Sequence, residues 1–236
     1  MTYLPCVVMC SLWKDDLHRR LVDRVEHLLA KAETYPNLRW VWVVGDSRDD
    51  TTHALAGLSH GYPVTIVDIG DTGIEGDDYA SRLRRLGETA NEWWNWIDDV
   101  EYVLVHESDI ISPADVVNRL VAHAGQGRCP IAGWPVLELR PNHHVFYDVF
   151  CYRKDGVRFS NNPPYHACYQ PDRPFLVDSF GTMYLFHAED VPLVHFEDMA
   201  VLDLCRQLRE QGRDLWVDPT LIVDQPRDLW TFFHAP

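Results

Sequence analysis

The 236-residue sequence is poor in positive charge: 21 Lys and Arg stand against 36 Asp and Glu, a formal net charge of −15. That balance argues against general affinity for phosphate backbones or anionic membranes, although it is compatible with a local basic groove. Its six cysteines (Cys6, Cys10, Cys129, Cys151, Cys168 and Cys205) include no CxxC pair, so neither a zinc knuckle nor a disulfide scaffold is signalled. A reduced, cytoplasmic chain is the expectation. No stretch approaches about 18 consecutive apolar residues, and the start lacks the basic and apolar regions of a signal peptide, so no transmembrane anchor is expected. GxSxG, P-loop and GxGxxG motifs are all missing, which removes the usual hydrolase, kinase and dinucleotide-binding routes. What is present, 46% apolar and 24% charged residues, is the composition of a globular protein, and the length suits one domain.

Apolar runs alternate with helical patterns through the first half. Cys6–Cys10 reads as a buried strand, and Leu38–Val44, Val64–Ile69 and Tyr102–Val105 as three further strands. Leu17, Leu21, Val25, Leu28 and Leu29 recur at helical spacing, and a long helix is predicted over about Asp77–Ile97, with Leu83, Leu86, Ala90, Trp93 and Ile97 on one stripe. Ser112-Pro113-Ala114-Asp115 reads as a capped helix start. Four strand–helix repeats imply a parallel sheet with helices on both faces, and such sheets bind ligands beyond the carboxyl ends of their strands. Three of the four ends carry acid: Asp46; Asp68 and Asp71; Glu107 and Asp109.

From about residue 128 prolines and aromatics become frequent and the strand signals read as mixed or antiparallel. A helix is predicted after Phe196-Glu197-Asp198 with Gly212 as its C-cap, then a last strand through Leu215–Val223. The division is about 1–127 and about 128–236 within one α/β domain.

Glu107-Ser108-Asp109 follows a strand directly, so its two carboxylates can converge on a hard cation, Mn2+ or Mg2+, shared with substrate phosphates. The run Glu101–Pro113 resembles the strand and DxD segment of GT-A glycosyltransferases. Val43–Thr51 resembles an earlier segment of that family, with Ser47, Asp49 and Thr51 aligned. Val177–Phe186 resembles its acceptor-side strand, Glu197-Asp198 its ED element and Trp216–Val223 its closing strand. The closest texture is that of family-2-like enzymes and fungal-type mannan polymerase subunits, with small phage-type enzymes also in view.

This resemblance implies a GT-A, Rossmann-like mixed sheet with helices on both faces. It also implies metal-dependent, inverting sugar transfer from a UDP- or GDP-sugar to an acceptor hydroxyl. Asp109, with Glu107, would hold the metal, and Asp198 or Glu197 would act as base. Asp46, Asp68, Asp71, Arg82 and Arg85 would bind the donor, with Arg84 and Asn91 on the same helix as the two arginines. Asp224 or His234 would complete the metal site. Trp134, Tyr147, Tyr165 and Asp178 are acceptor-side candidates, whereas Trp93-Trp94-Trp96 reads as core and His143-His144 as loop.

The sequence departs from the family pattern at Glu107, which stands at the first DxD position, at Asp224, where relatives often carry His, and at Val44-Gly45, where an acid is common. The acceptor stays open between a glycan and a hydroxymethylated pyrimidine in DNA, for which Arg140, Arg153, Lys154, Arg158 and Arg173 would supply a local basic groove. A nucleotidyltransferase, or a non-catalytic sugar-nucleotide-binding subunit, is the alternative.

Overall fold

The first apolar run forms strand β1 (Val7–Trp13), followed by helix α1 (Leu21–Leu29) and its short extension α2 (Lys31–Thr34). Then come β2 (Leu38–Val44), α3 (Thr51–Leu58), β3 (Val64–Asp68), α4 (Tyr79–Asn91), β4 (Tyr102–His106) and α5 (Val116–Ala124). The remainder is strand-rich: β5 (Ile131–Arg140), β6 (His143–Phe146), β7 (Arg153–Lys154), β8 (Val157–Arg158), β9 (Phe175–Val177), β10 (Met183–His187), α6 (Val201–Glu210) and β11 (Leu215–Gln225). This computed structural model describes residues 3–14, 20–76, 78–140, 143–146, 148, 151–159, 172–197 and 201–226, with 79, 138–140 and 143–144 described by backbone alone.

Nine of the strands build one sheet, in the order β3-β2-β1-β4-β10-β5-β11-β9, with β6 on β5. β1 to β4 are mutually parallel, as their crossover helices require. β10 enters antiparallel between β4 and β5, which makes the whole sheet mixed. Side chains alternate along a strand, so the core is two layers. Val8, Cys10, Val41, Val43, Val103 and Val105 face Trp93, Phe196 and the apolar stripe of α6, namely Leu204, Cys205 and Leu208. Val7, Met9, Trp40, Trp42 and Leu104 face α1, α3 and α5 through Val25, Leu28, Leu55, Val117 and Leu120. Each such side chain, fully buried, contributes about 1.5–3 kcal/mol.

Local chemistry sets the element ends. Asp78 caps α4, its carboxylate accepting from the N–H groups of Ala80 (3.0 Å) and Ser81 (3.1 Å). The single helix expected to Ile97 stops at Asn91 and tightens into a 3-10 turn, Glu92–Trp96, as Trp93 and Trp94 both pack on Phe196. Gly212, with φ 79, ends α6 as expected. Two expectations are corrected. Ser112 does not cap α5, which begins at Val116; its hydroxyl lies inside, 2.9 Å from His106 Nε2. His143 and His144 belong to strand β6 and not to a loop.

One irregularity positions the site. The β11–β5 register shifts between Val217 and Ile222. Asp218 holds the bulge, accepting from Thr220 N (2.9 Å) and Thr220 Oγ1 (2.7 Å), while Arg119 and His123 of α5 approach its other oxygen. Beyond the bulge β11 continues to Asp224 and Gln225.

Candidate functional site

The carboxyl ends of β1 to β4 share one edge of the sheet. At the tip of β2, Asp46 adopts a left-handed backbone, φ 54, and its N–H donates to the Gly70 carbonyl (2.8 Å). Its carboxylate accepts from Thr72 N (2.8 Å) and Thr72 Oγ1 (3.0 Å), with Arg85 Nε at 3.7 Å. Arg85 also donates to the carbonyls of Ile74 (3.1 Å) and Gly76 (2.6 Å). These two expected donor-binding residues therefore fasten the 70–76 loop to α4. Gly45 is required beside them, because a Cβ there would meet Thr89 Oγ1 at 2.8 Å; the acid common at this tip would not fit. Asp68 and Asp71 are exposed, and each accepts from a glycine N–H two residues on (Gly70 and Gly73), which shapes the same loop.

β4 delivers the acid segment. The Glu107 N–H donates to the Thr182 carbonyl (3.2 Å), placing the start of β10 against it. Ile111 and Asp224 exchange two backbone hydrogen bonds of 2.7 Å, which dock the end of β11 beside the same segment. Gln225 Nε2 then donates to Asp109 Oδ2 at 3.4 Å. Gln225 is buried, and its Oε1 has no hydrogen-bond partner among the described residues.

Asp148, which no sequence pattern had marked, joins this group. Its carboxylate accepts from Thr182 Oγ1 (2.8 Å) and Cys151 N (3.2 Å). Thr182 holds φ 63, a strained conformation for a β-branched residue. Glu107 opens to solvent, yet the protein packed around it and the charges of Asp109 and Asp148 hold its pKa well above the usual carboxylate value, with Arg82 opposing. Burial likewise raises Asp148, against its two hydrogen bonds.

No family model and no curated protein sequence matches the chain. Its structure does have counterparts. The mannosyltransferase PcManGT from Pyrobaculum calidifontis, solved in complex with GDP-Man and Mn2+, superposes with a TM-score of 0.60 at 16% identity, over 94% of this chain and 57% of that one. S. aureus TarS 1-349, in complex with UDP-GlcNAc, gives a TM-score of 0.61 at 9% identity, over 94% and 58%. The fold is GT-A. This chain spans less than two-thirds of either counterpart.

On this GT-A sheet the remaining expected residues fall in different places. Arg82 and Arg84 are exposed on α4. Asn91, at the far end of α4, bonds the Phe196 backbone twice, both at 2.9 Å. Those bonds, with Glu197 O packed over Gly87, lay the Phe196-Glu197 backbone along the helix that carries Arg82. Glu197 is exposed and 3.3 Å from Arg206. Asp198, His234, Tyr147 and Tyr165 lie outside the described residues.

Two acceptor-side candidates have structural contacts of their own. Trp134 is 2% exposed and enclosed by Phe146 (4.7 Å between centroids) and Phe159 (5.8 Å), so it has no face to offer a sugar. Asp178 accepts from Gly156 N (2.6 Å) and faces Arg209 (3.5 Å), so it anchors the β7–β8 hairpin. No helix among the described residues is long and apolar enough to cross a membrane.

Among the described residues no group of three or more His, Cys, Asp or Glu is placed to hold a metal ion. What GT-A chemistry needs is smaller. A Mn2+ or Mg2+ ion commonly takes one or two carboxylates and completes its shell with substrate phosphate and water. Asp109 and Glu107 supply hard oxygen donors, and the buried oxygen of Gln225 next to Asp109 marks a polar spot left unsatisfied among the described residues. The residues fit a cation shared with a diphosphate, not a closed protein cage.

Proposed function

We propose that this chain is a metal-dependent, inverting glycosyltransferase that moves a sugar from a UDP- or GDP-sugar to an acceptor hydroxyl. The observation that carries this reading is the placement of Glu107 and Asp109 at the carboxyl end of β4 in a GT-A sheet, with Asp148 tied to the Glu107 backbone through Thr182. The two structural counterparts hold GDP-Man and UDP-GlcNAc, which supports the donor class.

Asp109, with Glu107, would hold Mn2+ or Mg2+, which supplies neutralisation of the leaving diphosphate. Asp224 pairs with the Ile111 backbone and, among the described residues, is not grouped with Glu107 and Asp109 as a third metal ligand. Arg82 adds positive charge where the leaving group forms. In a single displacement the acceptor oxygen bonds to the anomeric carbon as the bond from that carbon to the diphosphate oxygen breaks. The electron pair leaves with the diphosphate, and the acceptor's proton passes to a carboxylate of the Glu197-Asp198 pair. One displacement inverts the anomeric centre.

A glycan suits the acceptor side better than DNA. Lys154 lies 3.8 Å from Asp155, Arg209 is 3.5 Å from Asp178, and Arg206 is ringed by Glu197, Asp203 and Glu210, which blunts a basic groove. The test is release of UDP or GDP from a panel of nucleotide sugars with Mn2+. Asp109→Ala should abolish release while the protein stays folded, and chelation of the metal should do the same to the wild type. Undiminished turnover by Asp109→Ala in chelator would sink the proposal.

A further inference from the structure

Behind the acid segment, on the side of the sheet covered by α1, lies a buried polar layer that sugar transfer does not itself call for. Arg24 is 3% exposed and Lys31 1% exposed, although both are cationic. With His27 they form one face of α1 and its extension, at a spacing of three and four residues. Arg24 Nε donates to the Ser108 carbonyl (2.7 Å) and its Nη2 to the Ser108 hydroxyl (2.7 Å), which in turn donates to the Leu12 carbonyl at the end of β1 (2.7 Å). The guanidinium also lies 4.8 Å from the centre of the Trp13 ring. Lys31 Nζ donates to the Ser112 carbonyl (2.9 Å), and His27 Nε2 accepts from the Ser112 N–H (3.0 Å). His106 spans the two ends of the segment, donating from Nδ1 to the Glu107 carbonyl (2.8 Å) and accepting from the Ser112 hydroxyl (2.9 Å).

Burying two cations is costly unless their hydrogen bonds and nearby negative charge compensate. Here both cations bind backbone carbonyls of the very segment that carries Glu107 and Asp109. The planar fork of Arg24 holds one residue, Ser108, by two atoms at once, and Ser108 lies between the two acids. The arrangement fixes the backbone from which both carboxylates project. It also places positive charge beneath them.

We propose that Arg24, seconded by Lys31, is a positioning residue that presets the Glu107-Ser108-Asp109 backbone for metal and diphosphate. This rests on the transferase reading for its consequence, but the ordering of the segment can be measured independently of it.

The experiment uses the full chain as wild type, Arg24→Met, Arg24→Lys and Lys31→Met. Amide hydrogen exchange is followed at Glu107, Ile111 and Ser112, all hydrogen-bonded in the structure. Mn2+ affinity is measured by electron paramagnetic resonance, alone and with UDP or GDP. Arg24→Met is expected to speed exchange selectively at these amides, not across β1 to β3, and to weaken Mn2+–nucleotide binding by about tenfold or more. Arg24→Lys should recover only part of each, because an ammonium cannot grip both Ser108 atoms. If Arg24→Met does not fold, Lys31→Met carries the same test on the Ser112 side. Native exchange at these three amides in a folded Arg24→Met protein overturns the proposal, and so does unchanged affinity in a variant whose exchange has sped up. If wild-type protein binds no Mn2+–nucleotide, the transferase reading fails, while the exchange data still decide whether Arg24 orders the segment.

Discussion

Gly181 makes room for Asp148: a Cβ at position 181 would overlap the Asp148 carboxylate and stand 2.8 Å from Cys151 Cβ. The Gly181 carbonyl is held at the same time by the buried Tyr152 hydroxyl (3.2 Å), so the backbone has little freedom to retreat. The glycine, the strained Thr182 and the acid act as one unit beside Glu107.

Gly181→Ala should therefore displace Asp148 from Thr182. The cost is that of overpacking a buried site, about 1–3 kcal/mol in urea denaturation. Donor turnover should fall by more than the fraction unfolded explains. An alanine variant of native stability and activity would show that Asp148 need not sit where it does.

Glu107→Gln should separate stability from function. The raised pKa of Glu107 means its ionised form is disfavoured in the fold, chiefly by burial and then by Asp109 and Asp148. Its contribution is favourable at low pH and is lost as pH rises above the ordinary carboxylate range. Removing the charge should raise the melting temperature of the metal-free protein at pH 7.5 by about 1–2 °C, a small gain because the group opens to water and solvent screens it. Mn2+-dependent donor turnover should fall in the same variant.

The imidazoles under the acid segment predict acid sensitivity. Burial, then the charge of Lys31, lowers His27 to about 4; burial, then His27, lowers His106 to about 3. In the unfolded chain both accept protons near 6.5, so as pH falls from 6.5 towards 4 the unfolded state binds more protons and the fold loses stability. Above pH 6.5 their contribution is complete. Urea midpoints measured at pH 7.5 and pH 5 should drop with acid, and His27→Gln should flatten that drop. For each imidazole the slope is at most about 1.4 kcal/mol per pH unit.

Trp134→Ala should cost about 3–5 kcal/mol in unfolding free energy, as for a buried aromatic in a well-packed cluster. A residue that merely stacked on an acceptor would leave stability nearly unchanged and raise KM for the acceptor. Denaturation curves distinguish the two outcomes directly.

The parallel half of the sheet was legible because its signal is local. Leu38–Val44 forms a strand over the predicted span, and the other three strands end within three residues of their expected limits. Strong apolar runs punctuated by glycine, asparagine and proline leave few alternatives, and acid at their carboxyl ends marks an edge before any contact is known. The site itself was only partly legible. Glu107 and Asp109 stand at the expected edge; the contacts by which Asp46 and Arg85 tie the 70–76 loop, and the burial of Trp134, had no signal in the sequence.

What sequence alone determined is therefore the chain's alternation of strand and helix, the apolar runs of its first four strands and the edge where acid collects. Hydrophobic period and turn chemistry act over a few residues, so one strand of text contains them. Tertiary structure alone decided which acids meet. Asp148 is tied to the Glu107 backbone through Thr182 only because β10 runs antiparallel beside β4, and Gln225 reaches Asp109 only because β11 continues past its Asp218 bulge. The layer of Arg24, His27 and Lys31 beneath Ser108 and Ser112 joins residues more than 80 positions apart. Hydrogen bonds over such separations leave no periodic trace, because only packing brings their partners together.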